Sequence, residues 1–116
     1  MILAAGMGTR LLPYSEKTPK PLFPVAGRPL LDITIRALER AGSTAVIINT
    51  HYLNQKIDSF IKKNKYGIPV YTRHEPVILG TGGSIKNAID FLKELPDGKD
   101  REILEKLGKY IVDRDL

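Results

Sequence analysis

Two glycines one residue apart, Gly6 and Gly8, follow the short apolar run Ile2-Leu3-Ala4 and Ala5. Glycines placed there let main-chain N–H groups come close to an anion. Thr9 adds a hydroxyl and Arg10 a planar fork of donors that suits phosphate oxygens. Further on, Lys20 stands between Pro19 and Pro21, which restrict its backbone and can aim its ammonium group at a fixed point. The chemistry these residues could do is phosphate binding. Each has a plainer alternative: a G-x-G turn is often only a turn, and a lysine between prolines can be a solvated side chain. Two standard phosphate motifs do not fit. No Lys-Ser or Lys-Thr follows at Walker A spacing, and Leu11 stands where the dinucleotide fingerprint needs its third glycine, with Pro13 barring the helix that should follow.

The elements that must position these residues can be read from periodicity. Ile2-Leu3-Ala4 reads as a buried strand feeding the glycine turn. Prolines at 13, 19, 21, 24 and 29 exclude a helix between Gly6 and Pro29 and favour an ordered, extended loop of the kind that is usually functional. Pro29 suits a first helical position, with a helix from Leu30 to Ala41 closed by Gly42. Ala45 to Asn49 is apolar on both faces, as in a parallel sheet. Asn54 is placed to cap a helix carrying Ile57, Phe60 and Ile61 and ended by Gly67. Ile68 to Thr72 reads as a third strand. A loop from Arg73 to Gly83 then leads to a helix with Ile85, Ala88, Ile89 and Leu92 on one face. This alternation predicts an α/β fold, a Rossmann-like three-layer α/β/α sandwich with a mostly parallel sheet. Beyond it, Ile103, Leu104 and Leu107 suggest a short helix and Lys109–Leu116 a fourth strand.

Composition narrows the classes. The chain has 116 residues, 42% hydrophobic and 27% charged, which is ordinary globular usage and room for one domain. With no cysteine, disulfide scaffolds, zinc ribbons and thiol nucleophiles are excluded. No apolar run reaches the ~18 residues of a membrane span, and the first ten residues lack the order of a signal peptide, so the expected location is the cytoplasm with no membrane partner. The net charge is +5. Residues 1–93 hold 13 basic and 6 acidic side chains, and residues 94–116 hold 5 and 7. A basic body of this kind suits a polyanionic partner: nucleic acid, a membrane surface or a phosphorylated small molecule.

Taken together, Leu3-Ala4-Ala5-Gly6-Met7-Gly8-Thr9-Arg10-Leu11-Leu12-Pro13, then Thr18-Pro19-Lys20-Pro21-Leu22, Pro24-Val25 and Pro29-Leu30, resemble the start of the sugar-1-phosphate nucleotidyltransferases, the NDP-sugar pyrophosphorylases. The resemblance continues through Asn49-Thr50-His51-Tyr52-Leu53, Glu75-Pro76 and Leu79-Gly80-Thr81-Gly82-Gly83. It covers residues 1–93, a nucleotide-binding portion, and leaves 94–116 as a divergent charged tail. The last of these motifs looks like the guanylyltransferases acting on mannose- or heptose-phosphates, although uridylyl and thymidylyl relatives use similar loops.

The resemblance implies roles residue by residue. Leu3, Ala4, Ala5 and Gly6 would lie along base and ribose, and the backbone of Gly6, Met7, Gly8 and Thr9 would cradle a triphosphate. Arg10 would hold the β- and γ-phosphates, and Lys20 the α-phosphate and the sugar phosphate. Gly80, Thr81 and Gly82 would form a loop closing over the base, with Glu75 an acceptor near it. The implied substrates are a nucleoside triphosphate, GTP or UTP foremost, and a sugar 1-phosphate, with Mg²⁺ as cofactor and Asp115 as its candidate ligand.

There are two departures from the family. Arg114 stands where a glycine usually precedes the metal-binding aspartate, leaving a solvated acidic terminus as the alternative for Asp115. The sugar-binding half has no counterpart in 116 residues, so the chain is expected to be a piece of a longer enzyme or a divergent short form. A nucleotide-binding module without turnover is one rival reading. A basic nucleic-acid-binding domain using Lys62-Lys63-Asn64-Lys65 is another, but no tyrosine stripe is present to stack bases, and no nucleic-acid partner is expected. His51 and His74 lack ligand-spaced partners and are read as packing or surface residues. Homo-oligomerisation is left open.

Overall fold

A computed structural model describes residues 1–94. Strand β1 (Ile2–Ala4) opens the chain, and a short antiparallel hairpin of β2 (Pro24–Val25) and β3 (Arg28–Pro29) precedes helix α1 (Leu30–Arg40). There follow β4 (Val46–Thr50), α2 (Asn54–Lys63), β5 (Val70–His74) and α3 (Gly80–Leu92). The main sheet has the order β1-β4-β5 and both pairings are parallel, with Leu3 opposite Asn49 and Asn49 opposite Arg73. Among the described residues the outer edge of β1 carries no strand.

Side-chain alternation on the central strand explains the layers. Val46 and Ile48 point to the face where Leu31, Ile35 and Leu38 of α1 and Ile57 of α2 pack. Ile47 points to the other face, against Met1 and Ala88 of α3. Every residue of β4 is buried, which is why Val46-Ile47-Ile48 is a continuous apolar run rather than an alternating one. Each fully buried isoleucine there contributes on the order of 1.5–3 kcal/mol. The three-layer α/β/α arrangement with a parallel sheet is therefore present.

Helix α1 is held at both ends. After Arg40 the chain passes through Gly42 at φ +90°; Gly42 N–H donates to Glu39 O at 3.1 Å and Ser43 N–H to Leu38 O at 3.0 Å. This paired closure uses a left-handed residue that only glycine adopts cheaply. In its first turn, buried Asp32 accepts from Arg28 (2.7 Å), Arg36 (3.1 Å) and the Tyr66 hydroxyl (2.8 Å). Burial pushes the Asp32 carboxyl up, but the Arg28 and Tyr66 hydrogen bonds and the two guanidinium charges outweigh it and hold it below the usual carboxylate range. Burial and this carboxylate push the Tyr66 phenol well above its ordinary value.

Several local expectations need correcting. The segment from Gly6 to Pro29 is not simply extended: it contains 3₁₀ turns at Thr9–Leu11, Tyr14–Glu16 and Lys20–Leu22 besides the hairpin. Prolines exclude α-helix but allow single 3₁₀ turns. Pro29 is the last residue of β3 and precedes the helix, because its extended ψ of 138° lies outside the helical range. Asn54 is the first residue of α2 rather than its cap; Leu53, at φ +52°, takes the preceding position. β5 runs two residues later than expected, because its register is set by β4. Gly80, Thr81 and Gly82 form the first turn of α3, not a loop. The expected helix around Ile103–Leu107, the strand Lys109–Leu116 and Asp115 lie outside the described residues.

Candidate functional site

The glycine turn leaves the C-terminal end of β1, where Ala4 and Ala5 are buried and Gly6 and Met7 are exposed. Gly8 has φ +66°, and a Cβ built on it would stand 3.2 Å from Ser15 Cβ and 3.8 Å from Lys20 Cβ. The absent side chain is what lets the turn lie against both residues. Ser15 is fully buried and its hydroxyl donates to Gly8 O at 2.7 Å. Tyr52, just after β4, donates its hydroxyl to Ser15 O at 2.8 Å, and Lys56 of α2 donates to Lys17 O. The loop after the glycines is thus tied to the sheet and to α2 through groups far away in sequence.

Arg10 lies in the first 3₁₀ turn and Lys20 opens the third, and both are exposed. They face one cavity of about 960 Å³, together with Gly6, Gly8, Thr9 and the β1 residues Leu3 and Ala4. The far wall of the cavity is the apolar flank of α1, including Leu30 and Ile33. No acidic residue lines it, and neither cation has an ion-pair partner among the described residues. Two uncompensated cations beside free main-chain donors make a site for a multiply charged anion.

The structure does not bring every expected residue to this cavity. Ala5 and Met7 belong to the turn but do not line it, and Glu75, Gly80, Thr81 and Gly82 lie on the α3 side of the sheet. Glu75 is 1% exposed. Its Oε2 accepts from Asn49 Nδ2 at 3.0 Å, its Oε1 accepts from Ser84 Oγ at 2.5 Å, and its N–H donates to Thr50 O at 2.7 Å. Asn49 in turn accepts the Ala4 N–H on Oδ1 at 2.7 Å. Ser15 and Ser84 were not singled out from the sequence, and Asn49 and Tyr52 were named only within the motif Asn49-Thr50-His51-Tyr52-Leu53, with no role given to either. For Asn49, a polar residue closing the apolar run of a central strand was a further signal.

His51, just after β4, and His74, the last residue of β5, stack their rings at 6.3 Å, and His51 Nδ1 is 2.6 Å from Glu75 O. They pack, as their isolated sequence positions suggested. Among the described residues no group of three or more histidines, aspartates or glutamates could hold a metal ion. No described helix is long and apolar enough to cross a membrane.

A family model described as nucleotidyl transferase matches residues 1–104. The chain is 40% identical over 98 residues to the N-acetylmuramate alpha-1-phosphate uridylyltransferase of Neisseria meningitidis, covering 83% of this chain and 42% of that protein. It is 34% identical over 93 residues to the D-glycero-alpha-D-manno-heptose 1-phosphate guanylyltransferase of Campylobacter jejuni, covering 80% and 42%. Among solved structures, HddC from Yersinia pseudotuberculosis complexed with GMP-PN matches with a TM-score of 0.67 and 41% identity, covering 78% of this chain and 40% of that one. The chain therefore spans less than half the length of these relatives.

Proposed function

Because the chain belongs to the nucleotidyl transferase family, we propose that it supplies the triphosphate-binding part of an enzyme that transfers a nucleoside monophosphate to a sugar 1-phosphate. The observation that carries this reading is the pairing of Arg10 and Lys20 on one cavity that no acidic side chain lines. In the proposed reaction an oxygen of the sugar 1-phosphate attacks the α-phosphorus of the nucleoside triphosphate. The bond from that phosphorus to the bridging oxygen breaks, and pyrophosphate leaves with the electron pair. Arg10 neutralises the β- and γ-phosphates as they depart, and Lys20 holds the α-phosphate against the incoming sugar phosphate. Main-chain donors of Gly6, Met7, Gly8 and Thr9 fix the phosphate chain, while Leu3, Ala4 and Ala5 lie beneath base and ribose. Such chemistry needs positioning and charge neutralisation more than covalent help.

The nucleotide in this reading is GTP or UTP, since guanylyl- and uridylyltransferases are both among the relatives. Gly80, Thr81 and Gly82 at the start of α3 face the base, and Glu75 fixes that turn from beneath through Ser84. Mg²⁺ belongs to the proposal: when bound it would offset the repulsion between nucleotide and sugar phosphates. The described residues offer no carboxylate cluster to hold it. The proposed location is the cytoplasm.

The test is isothermal titration of the full-length protein with GTP and UTP in the presence of Mg²⁺, followed by pyrophosphate release with a panel of sugar 1-phosphates. Arg10→Ala and Lys20→Ala are each expected to weaken triphosphate binding about 10- to 100-fold, the usual effect of losing a charge-assisted hydrogen bond. Unchanged affinity in both variants would overturn the reading. Binding with no pyrophosphate release would leave a nucleotide-binding module without turnover.

A further inference from the structure

We infer that Asn49 is a positioning residue that locks the phosphate-binding turn after β1 to the first turn of α3. The inference rests on the triphosphate-binding reading above and names a residue that sets the geometry of that site without lining its cavity. Asn49 is 3% exposed, on the central strand, with Leu3 beside it on one neighbour and Arg73 on the other. Its two amide ends do different work. Oδ1 accepts the N–H of Ala4, the last residue of β1, and Nδ2 donates to Glu75 Oε2. A carboxylate only accepts and a main-chain N–H only donates, so the orientation of the Asn49 amide is dictated by its neighbours. Glu75 is fixed in turn by Ser84, in the first turn and a half of α3, and by its own N–H on Thr50 O.

The result is a continuous buried chain from Ala4 N–H through Asn49 and Glu75 to Ser84. It joins the end of β1 to α3 across the central strand. A leucine at this position would strand Ala4 N–H and the Glu75 carboxylate, each at the cost of an unpaired buried polar group. An aspartate would keep the first bond and set carboxylate against carboxylate at the second. The chain therefore fixes how far the glycine turn stands from the turn proposed to face the base, a distance that any nucleotide bridging the two must match.

The experiment compares wild type, Asn49→Asp and the double variant N49D/E75Q in the full-length protein, using GTP or UTP with Mg²⁺, whichever wild type binds. At pH 8, N49D is expected to bind about tenfold more weakly. Its affinity should recover toward pH 6, where one proton shared by the facing carboxylates restores a donor. In N49D/E75Q the order of amide and carboxylate is reversed. The carboxylate introduced on β4 accepts from Ala4 N–H and from the amide that replaces the Glu75 carboxylate, and the carbonyl of that amide accepts from Ser84. This variant should bind as wild type does at pH 8, with no recovery on acidification. The other ionisable groups on the elements around this pair are His51, against the Glu75 carbonyl, its stacking partner His74, Arg73 of β5, and Lys86 and Asp90 of α3. The wild-type pH series is therefore the baseline. Amide hydrogen exchange gives a readout independent of nucleotide. N49D should raise exchange in residues 5–9 and in residues 80–84 together, and the double variant should reverse both.

A folded N49D with wild-type affinity at pH 8, a loss that is flat with pH, or faster exchange in only one segment would overturn the inference. If N49D fails to fold, the double variant decides: wild-type binding and exchange support the inference, and a folded double variant that has lost either refutes it. If wild type binds no triphosphate, the functional reading fails alone, and the exchange data still decide the role of Asn49.

Discussion

At the scale of single residues, Gly8 is the position where backbone conformation and site geometry meet. An alanine there must adopt φ near +66° and press on Ser15 Cβ from 3.2 Å. The left-handed conformation costs about 1–2 kcal/mol for a residue with a Cβ. Gly8→Ala is therefore expected to lower unfolding free energy by about that amount in urea titrations. Because the displaced neighbours are Ser15 and Lys20, triphosphate affinity should fall as well, and a variant that loses stability but keeps affinity would place Gly8 outside the site. Arg10, Lys20 and the glycines were legible in the sequence as candidates because of their chemical character and spacing. The role of Asn49 was not, although the residue stands in the motif Asn49-Thr50-His51-Tyr52-Leu53, because it depends on Glu75, 26 residues later, and on a main-chain donor in another strand.

Among the elements, α1 adds to its apolar packing a polar tie through Asp32, which joins it to β3 by Arg28 and to the stretch before β5 by Tyr66. Asp32→Ala removes every one of these bonds. The stranded arginines remain partly exposed, at 49% and 38%, so water recovers some of the loss. The expected cost is about 1–3 kcal/mol, read as a lower urea midpoint with an unchanged m-value. Since the carboxyl is held below its ordinary value, its contribution is complete above the unfolded pKa of about 4 and is lost as pH falls through the folded value. Helix α3 shows where local reading stopped. Gly80, Gly82 and Gly83 each disfavour helix by about 1 kcal/mol relative to alanine. The helix nonetheless begins at Gly80, because Ile85, Ala88 and Ile89 pack on the sheet and Ser84 is held by Glu75. Likewise β5 ends on Arg73 and His74, polar residues that no hydropathy pattern extends a strand through but that pairing with Asn49 and Thr50 does.

Over the whole molecule, the distribution of the helices has a consequence for where a cleft opens. α1 and α2 cover one face of the sheet and α3 the other. Crossovers between parallel strands are almost always right-handed, so changing face reverses the direction in which the sheet grows. A strand that follows α3 into this sheet is carried back past β5 and β4 to the free edge of β1. With a strand in that place, strand order would reverse at β1 and make the mouth of β1 a topological switch point, where loops on the two sides turn away from each other and open a crevice. The glycine turn leaves the C-terminal end of β1, so the side of the sheet that each helix covers bears directly on where the proposed binding cleft opens.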